Sequence, residues 1–584
     1  RIYAPVGSKK ELLPYLVRRL LENGANSSFV NKYLSSEVPV SEVVKNPIEI
    51  ANANLQSRTF LENVKRPHEI FIDRKNSKGF DYADAENLKN LNSEFEDFSS
   101  IKFVAKSILA DDLDLKELPK KMYCPGNNKK TIGTTFFATN EVVAHLQDNM
   151  PNNQWQDVSL DIKKEIFHKV AEQLHQNQSK LFYLLATEAG KTLKDADAEV
   201  REAIDFVNYY ICEGEKAFLP HKLTGPTGEN NYLSHEAKGN FLCISPWNFP
   251  LAIFVGQITA ALVAGNNVIA KPAEDTSIIA YEVIKIFHNA GIPKEALQLV
   301  IAEKEVSDEL TKLNWLSGIA FTGSSEAAKK INLNLAMSEG PIKTFIAETG
   351  GLNAMFVDSS ALKEQVIDDI VRSAFLSAGQ RCSALRVVYV QDDVADEYWD
   401  YLVEAMQEIS QGDPINLDVD IGPIINKSSL EKLVAHSSAL KKKKFRFEEL
   451  KTNELGSGYY FNPIVFEIND IKEIDGEKFG PILHFIRYKQ EELDDLIDQV
   501  NATGYGLTMG AHTRVLGKAN RIFKKANVGN FYLNRDIVGA VVGVQPFGGH
   551  GLSGTGPKAG GPNYLKSFLN EKTFTDNVMA TGGN

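Results

Sequence analysis

Cysteine is scarce here: four residues in 584, set far apart at Cys124, Cys212, Cys243 and Cys382. No Cys-x-x-Cys pair occurs. A disulfide framework or a clustered zinc site needs closer sulfur spacing, so the pattern predicts a reducing, cytoplasmic setting and no metal. Long apolar runs are missing as well. The longest, Phe249 to Ala270, is interrupted by Gln257, Asn266 and Asn267 and broken by Gly265. It predicts a buried helix followed by a buried strand rather than a membrane span. Positive charge is in deficit, with 64 Lys and Arg against 76 Asp and Glu. A formal charge of -12 argues against a nucleic-acid surface, which needs clustered basic residues. The one basic run, Lys441 to Lys444, lies beside Arg446, Glu448 and Glu449 and reads as a solvated face. No signal-peptide pattern and no internal repeat occurs, no Gly-x-Gly-x-x-Gly run follows a strand candidate of the kind that binds dinucleotides, and residue 1 is Arg rather than Met.

What is present is ordinary globular chemistry, 43% hydrophobic and 24% charged, in a chain long enough for about two to four domains. Residues 1–45 read as a strand (Arg1 to Gly7), a turn and a helix, Glu11 to Asn23, closed by Gly24. Residues 46–100 read as a polar, irregular linker packed on its neighbours. From about residue 101 helix and strand alternate, which predicts an α/β fold. Helices are expected over Asp157 to Gln176, Gln178 to Thr187, Asp195 to Cys212, Leu251 to Ala264 and Glu364 to Ala378. Asn231 to His235, Asn240 to Ser245, Asn267 to Ala270 and the run from Gly318 are the strand candidates. Two of these strands end in polar or small residues, at Lys271-Pro-Ala-Glu274 and Phe321-Thr-Gly-Ser-Ser325. Such βα turns let a helix N-terminus approach a pyrophosphate, although an ordinary turn explains either one alone.

The candidate chemistry centres on Ser377-Ala-Gly-Gln-Arg-Cys-Ser-Ala-Leu-Arg386. Gly379 permits a close backbone approach, and Arg381 and Arg386 are expected to favour a Cys382 thiolate. A lone cysteine is more often a small buried hydrophobe. Two further segments shift that balance. Ile346-Ala-Glu-Thr-Gly-Gly351 supplies a carboxylate, Glu348, and Ser245-Pro-Trp-Asn-Phe-Pro250 supplies an amide donor, Asn248. Together they make a nucleophile, a base and an oxyanion donor.

In this order and spacing, Pro-Trp-Asn-Phe-Pro, Glu-Thr-Gly-Gly and Gly-Gln-Arg-Cys resemble the aldehyde dehydrogenase superfamily. The resemblance implies an aldehyde dehydrogenase fold: a Rossmann-like NAD-binding domain lacking the usual fingerprint, an α/β catalytic domain and a β-hairpin oligomerisation flap. It implies Cys382 as nucleophile, Glu348 as base and Asn248 as oxyanion donor. Lys271, Glu274, Gly323, Ser324, Glu477 and Phe479 become the expected NAD contacts, Glu274 disfavouring a 2′-phosphate. The domains expected on this basis are 101–220 with 241–348 for NAD, 349–545 for catalysis, and 221–240 with 546–584 for the flap and tail, in a homo-oligomer.

A narrower resemblance spans nearly the whole chain. Gly379-Gln-Arg-Cys-Ser-Ala-Leu-Arg386 and Gly539-Ala-Val-Val-Gly-Val-Gln-Pro-Phe-Gly-Gly549 are similar to bifunctional proline utilization A proteins. So is the stretch from Tyr15 to Val30, whose Arg18 and Arg19 would match the proline-carboxylate pair at the end of a proline dehydrogenase barrel. This implies oxidation of a carboxylated aldehyde, L-glutamate γ-semialdehyde, in proline catabolism, its carboxylate held by Ser383, Gly539, Ala540 and Val541. Residues 1–45 would then be a C-terminal barrel remnant, with FAD belonging only to a barrel part that this sequence lacks, since a (β/α)₈ barrel takes ~250 residues. Two alternatives stay open: a dehydrogenase for another carboxylated aldehyde, or a non-catalytic nucleotide-binding scaffold.

Overall fold

Strands buried on both faces read as unbroken apolar runs, and such runs pair in parallel when helices cover them. Asn240–Ile244 (β1) and Asn267–Lys271 (β2) are buried throughout in this way, and Leu297–Leu299 (β3), Gly318–Thr322 (β4) and the half-buried Thr344–Glu348 (β5) pair alongside them. They form an all-parallel sheet in the order β5-β4-β1-β2-β3. A second sheet follows from Asn353–Val357 (β6), Leu385–Gln391 (β7), Arg446–Glu449 (β8), Ile464–Glu467 (β9), Ile482–Tyr488 (β10), Thr508–His512 (β11) and Asn530–Leu533 (β12). Its order is β8-β9-β10-β7-β6-β11-β12, parallel except for the edge pair β8/β9. The fold is the α/β architecture that the alternating pattern predicts.

These strands belong to a computed structural model that describes residues 8, 12–17, 39–57, 65, 67–111, 113, 115–452 and 455–578. Two compact units divide the chain, residues 1–70 and 71–584. In the first, residues 12–17 are helical, as are Val40–Val43 and Pro47–Ser57. Arg18, Arg19, the expected strand at 1–7 and the expected cap Gly24 lie outside the described residues.

In the second unit the site is carried by helices Leu193–Ala217 (α1), Ala252–Val263 (α2), Ser277–Ala290 (α3), Ser325–Met337 (α4), Lys363–Phe375 (α5) and Lys427–Lys442 (α6). Helix α2 is apolar all round and buried, as a helix enclosed by sheet and helices must be. It packs on α1 and supplies much of the core beside the first sheet. Away from the site, Glu229–Ala237 lies between His221–Leu223 and Leu569–Asn577 in an antiparallel sheet, which leaves Leu569–Asn577 on an edge. No helix among the described residues is long and apolar enough to cross a membrane.

The stretch expected to be irregular contains a helix, Ala85–Ser100. Its polar composition hides an apolar stripe at Leu88, Leu91, Phe95 and Phe98, of which Leu91 and Phe95 are buried. Asp84 caps it, accepting from Glu86 N at 2.9 Å and Asn87 N at 3.4 Å. Asp84→Ala is expected to cost about 1 kcal/mol. Denaturant titration should show a lower midpoint; an unchanged midpoint would mean that the cap does not stabilise this segment.

Candidate active site

Helix α5 stops at Phe375, three residues earlier than expected, because the chain turns left-handed after it. Ser377 has φ 54°, Ala378 φ 53° and Gly379 φ 65°. At Gly379 a Cβ would fall 2.3 Å from Gly480 O, so a side chain has no room there. The two non-glycine residues pay roughly 1–3 kcal/mol each for this conformation. A polar clamp holds it: Arg381 Nε donates to Ser377 Oγ at 2.9 Å, Ser377 Oγ donates to Asp195 Oδ2 at 2.8 Å, and Arg381 Nη2 reaches Asp195 Oδ1 at 2.9 Å. Asn353, at the start of β6, fixes the other side by donating from Nδ2 to Cys382 O at 2.7 Å and Ala384 O at 2.9 Å. Cys382 is thereby presented, half-buried, at the end of a strained loop.

Of the two arginines expected to favour a thiolate, only Arg386 acts in that direction, and burial outweighs it in the resting molecule. Arg381 is committed to Asp195, and Arg386 to three backbone carbonyls and to Glu477, 3.5 Å away. Desolvation, followed by the facing carboxylates Glu477 and Glu348, pushes the Cys382 thiol up to about 12. The N–H of Ser383 and the charge of Arg386 oppose this without overcoming it. Glu348 is itself pushed well above the usual carboxylate range by desolvation, with Gly549 N and Lys558 acting the other way. Its Oε2 accepts from Gly549 N at 3.4 Å, while Oε1 is buried without a hydrogen-bond partner. Glycines make its seat: a Cβ on Gly548 would lie 2.5 Å from Oε1. Burial thus opposes ionisation of both groups in the resting molecule.

Two cavities, about 1130 Å³ and 310 Å³, share Cys382 as a lining residue, along with Ile253, Thr322 and Thr349. The larger is lined by Asn248, Lys271, Glu274, Gly323, Ser324, Glu477 and Phe479. The smaller brings together Glu348, Ser383, Gly539, Ala540 and Val541. Every candidate site residue thus faces one cavity or the other.

Their hydrogen bonds refine the expected roles. Asn248 Nδ2 donates to Gln380 O at 3.1 Å, leaving its second N–H for the cavity. Ser324 Oγ caps α4 by accepting from Ala327 N at 3.2 Å. Val541 N donates to Gln545 Oε1 at 3.0 Å, so Gly539 and Ala540 are the amides of this loop left for a ligand. The loop itself is tied down by guanidiniums, Arg381 to Val538 O and Arg535 to Gly539 O.

The larger cavity suits a hydroxyl-rich, extended ligand. Lys271 is buried and donates no hydrogen bond among the described residues, and Ser245 Oγ is buried without a partner. Burial weakens the proton affinity of Lys271, and Glu274 and Asp275 partly restore it. In the lining of this cavity, the Trp247 and Phe479 rings meet edge-on at 5.5 Å. These features fit a dinucleotide such as NAD. No sequence motif marks Asp195 or Asn353, although Asn353 stands two residues beyond the Glu-Thr-Gly-Gly run.

Comparisons with known proteins agree with this geometry. The family model described as aldehyde dehydrogenase family matches residues 117–574, and one described as proline dehydrogenase matches residues 1–32. Bifunctional protein PutA of Escherichia coli K12 is 42% identical over 97% of this chain, which spans 43% of that relative. The chain thus covers less than half the length of that relative. 1-Pyrroline-5-carboxylate dehydrogenase of Staphylococcus aureus MW2 is 31% identical over 87% of this chain and 100% of its own length. A crystal structure of a Bradyrhizobium japonicum proline utilization A variant superposes with a TM-score of 0.84 at 41% identity, over 99% of this chain and 56% of that one. With most of its length matched by the family and its Cys382 loop at the meeting point of two cavities, the chain belongs to the aldehyde dehydrogenase family.

Proposed function

We propose that the chain oxidises L-glutamate γ-semialdehyde, the open form of pyrroline-5-carboxylate, to L-glutamate, with NAD as the cofactor. The observation that carries this reading is Cys382 at the junction of a large cavity and a small one containing Glu348. Relatives named 1-pyrroline-5-carboxylate dehydrogenase support the substrate.

Lys271 and Glu274 would hold the adenosine ribose, Gly323 and Ser324 the pyrophosphate, and Glu477 with Phe479 the nicotinamide end. The carboxylate of Glu274 disfavours a 2′-phosphate and so supports NAD over NADP. Cys382 sulfur adds to the aldehyde carbon as the thiol proton passes to solvent, and the C=O π pair moves onto oxygen to give the thiohemiacetal oxyanion. The Asn248 amide and the Cys382 N–H stabilise its oxygen; one such donor is worth roughly 2.7–4 kcal/mol of barrier. Bound NAD supplies the acceptor for the hydride whose departure leaves a thioester. Glu348 as carboxylate then takes a proton from water, whose oxygen displaces sulfur and yields the acid and the free thiol.

The smaller cavity sets substrate choice. Ser383, with Gly539 and Ala540 N–H, would pair the substrate's carboxylate while its aldehyde reaches Cys382. An aldehyde without that carboxylate leaves those donors unpaired, a loss that reaches roughly 10⁴–10⁵-fold in favourable sites. Ser383→Ala should therefore lower kcat/KM for glutamate semialdehyde far more than for propionaldehyde. Equal losses for the two substrates would remove the carboxylate anchor from the account. The exposed edge strand Leu569–Asn577 is the surface proposed for homo-oligomer contact, since an open edge offers unpaired N–H and C=O groups.

A further inference from the structure

Arg386 lies at the start of β7 beneath the nucleophile loop, with no exposed surface (0%). Its Nη1 donates to Gly379 O at 2.8 Å and to Gly480 O at 3.0 Å. Its Nη2 donates to Arg381 O at 3.0 Å and lies 3.5 Å from Glu477 Oε1. Gly379 and Arg381 belong to the loop that presents Cys382, and Gly480 to the loop that carries Glu477 and Phe479. One planar fork therefore joins the nucleophile loop to a wall of the larger cavity, a task that suits guanidinium far better than ammonium. The contact is close enough for the two backbones to touch, as the lack of room at Gly379 shows. Glu477 extends the junction by accepting from Gly351 N at 3.2 Å.

We propose that Arg386 is a positioning residue that holds the Cys382 loop and the Glu477 loop in register and offsets the Glu477 carboxylate facing the thiol. The proposal rests on Cys382 being the nucleophile. Around the thiol stand Glu348, Glu477, Arg386 and Tyr532. His484 meets Arg386 O through Nδ1 at 2.8 Å, and burial holds it neutral, so it adds no charge. Arg386 is thus the cation that balances Glu477. Losing it leaves Gly379 O without its donor, while Gly480 O and Arg381 O keep only the N–H groups of Ile482 and Ala384, and it leaves an uncompensated carboxylate beside the sulfur.

The test is the rate at which iodoacetamide labels Cys382, followed by peptide mass spectrometry from pH 6 to 10, alongside calorimetric NAD affinity. Arg386→Met should slow labelling about tenfold at a given pH, the change in thiolate fraction from a one-unit shift, and should weaken NAD binding. Arg386→Lys keeps the charge without the fork. It should slow labelling less than Arg386→Met while weakening NAD binding comparably, a split that a general loss of structure would not produce. Glu477→Gln should speed labelling, and it tests the electrostatic half even if Arg386→Met fails to fold. Wild-type labelling profiles in both Glu477→Gln and Arg386→Lys, with wild-type NAD affinity in the latter, would overturn the inference alone. A wild-type chain whose Cys382 resists labelling throughout would instead overturn the nucleophile reading beneath it.

Discussion

Cys382→Ala should reduce kcat/KM for glutamate semialdehyde by about 10⁴-fold or more, the scale on which removal of a covalent nucleophile acts. NAD binding should survive, because Cys382 contributes only one edge of the larger cavity and its loop is held by Arg381, Asn353 and Arg386. Steady-state assay of cofactor reduction and calorimetry with NAD separate the two effects. Retention of a tenth of wild-type turnover by the alanine variant would assign the covalent step elsewhere.

Glu348→Gln should leave the first half of the reaction running and slow the second by roughly 10²–10⁴-fold, the usual contribution of a general base. Intact-mass spectrometry should then find the glutamyl thioester accumulating, with a burst of reduced cofactor. The pH response carries the same information. Desolvation raises the proton affinity of Glu348, so the active carboxylate is depleted at low pH and gains population as pH rises through its elevated pKa. Deacylation in the wild type should climb with pH and level off, and the glutamine variant should lose that limb. A variant that turns over without accumulating thioester would show that another group activates the water.

Both predictions use residues that the sequence makes visible, because the proposed nucleophile, base and amide donor each sit in a short motif of distinctive composition. The parallel sheets were legible for a similar reason: apolar runs such as Phe241–Ile244 and Val268–Ala270 are buried on both faces and carry no alternation. Charge was misread because its effect depends on partners. Arg381 stands beside Cys382 in sequence, yet its guanidinium is held by Asp195, 186 residues away, and the thiol responds first to burial and then to Glu477 and Glu348. The same limit applies to Val541, whose N–H is taken by the Gln545 side chain, a bond that no motif announces. The helix Ala85–Ser100 was hidden by its many polar residues, although its apolar stripe was there to be counted. Local motifs report which groups are available; burial and long-range pairing decide what each group does.

The central claim is that two cavities meeting at Cys382 deliver a carboxylated aldehyde and NAD to one sulfur. It is tested most directly by incubating the purified chain with NAD and glutamate semialdehyde and quantifying both reduced cofactor and glutamate. The account predicts equal amounts of the two, formed by the wild type and not by Cys382→Ala. A chain that binds NAD yet forms neither product from this or any other carboxylated aldehyde would contradict it.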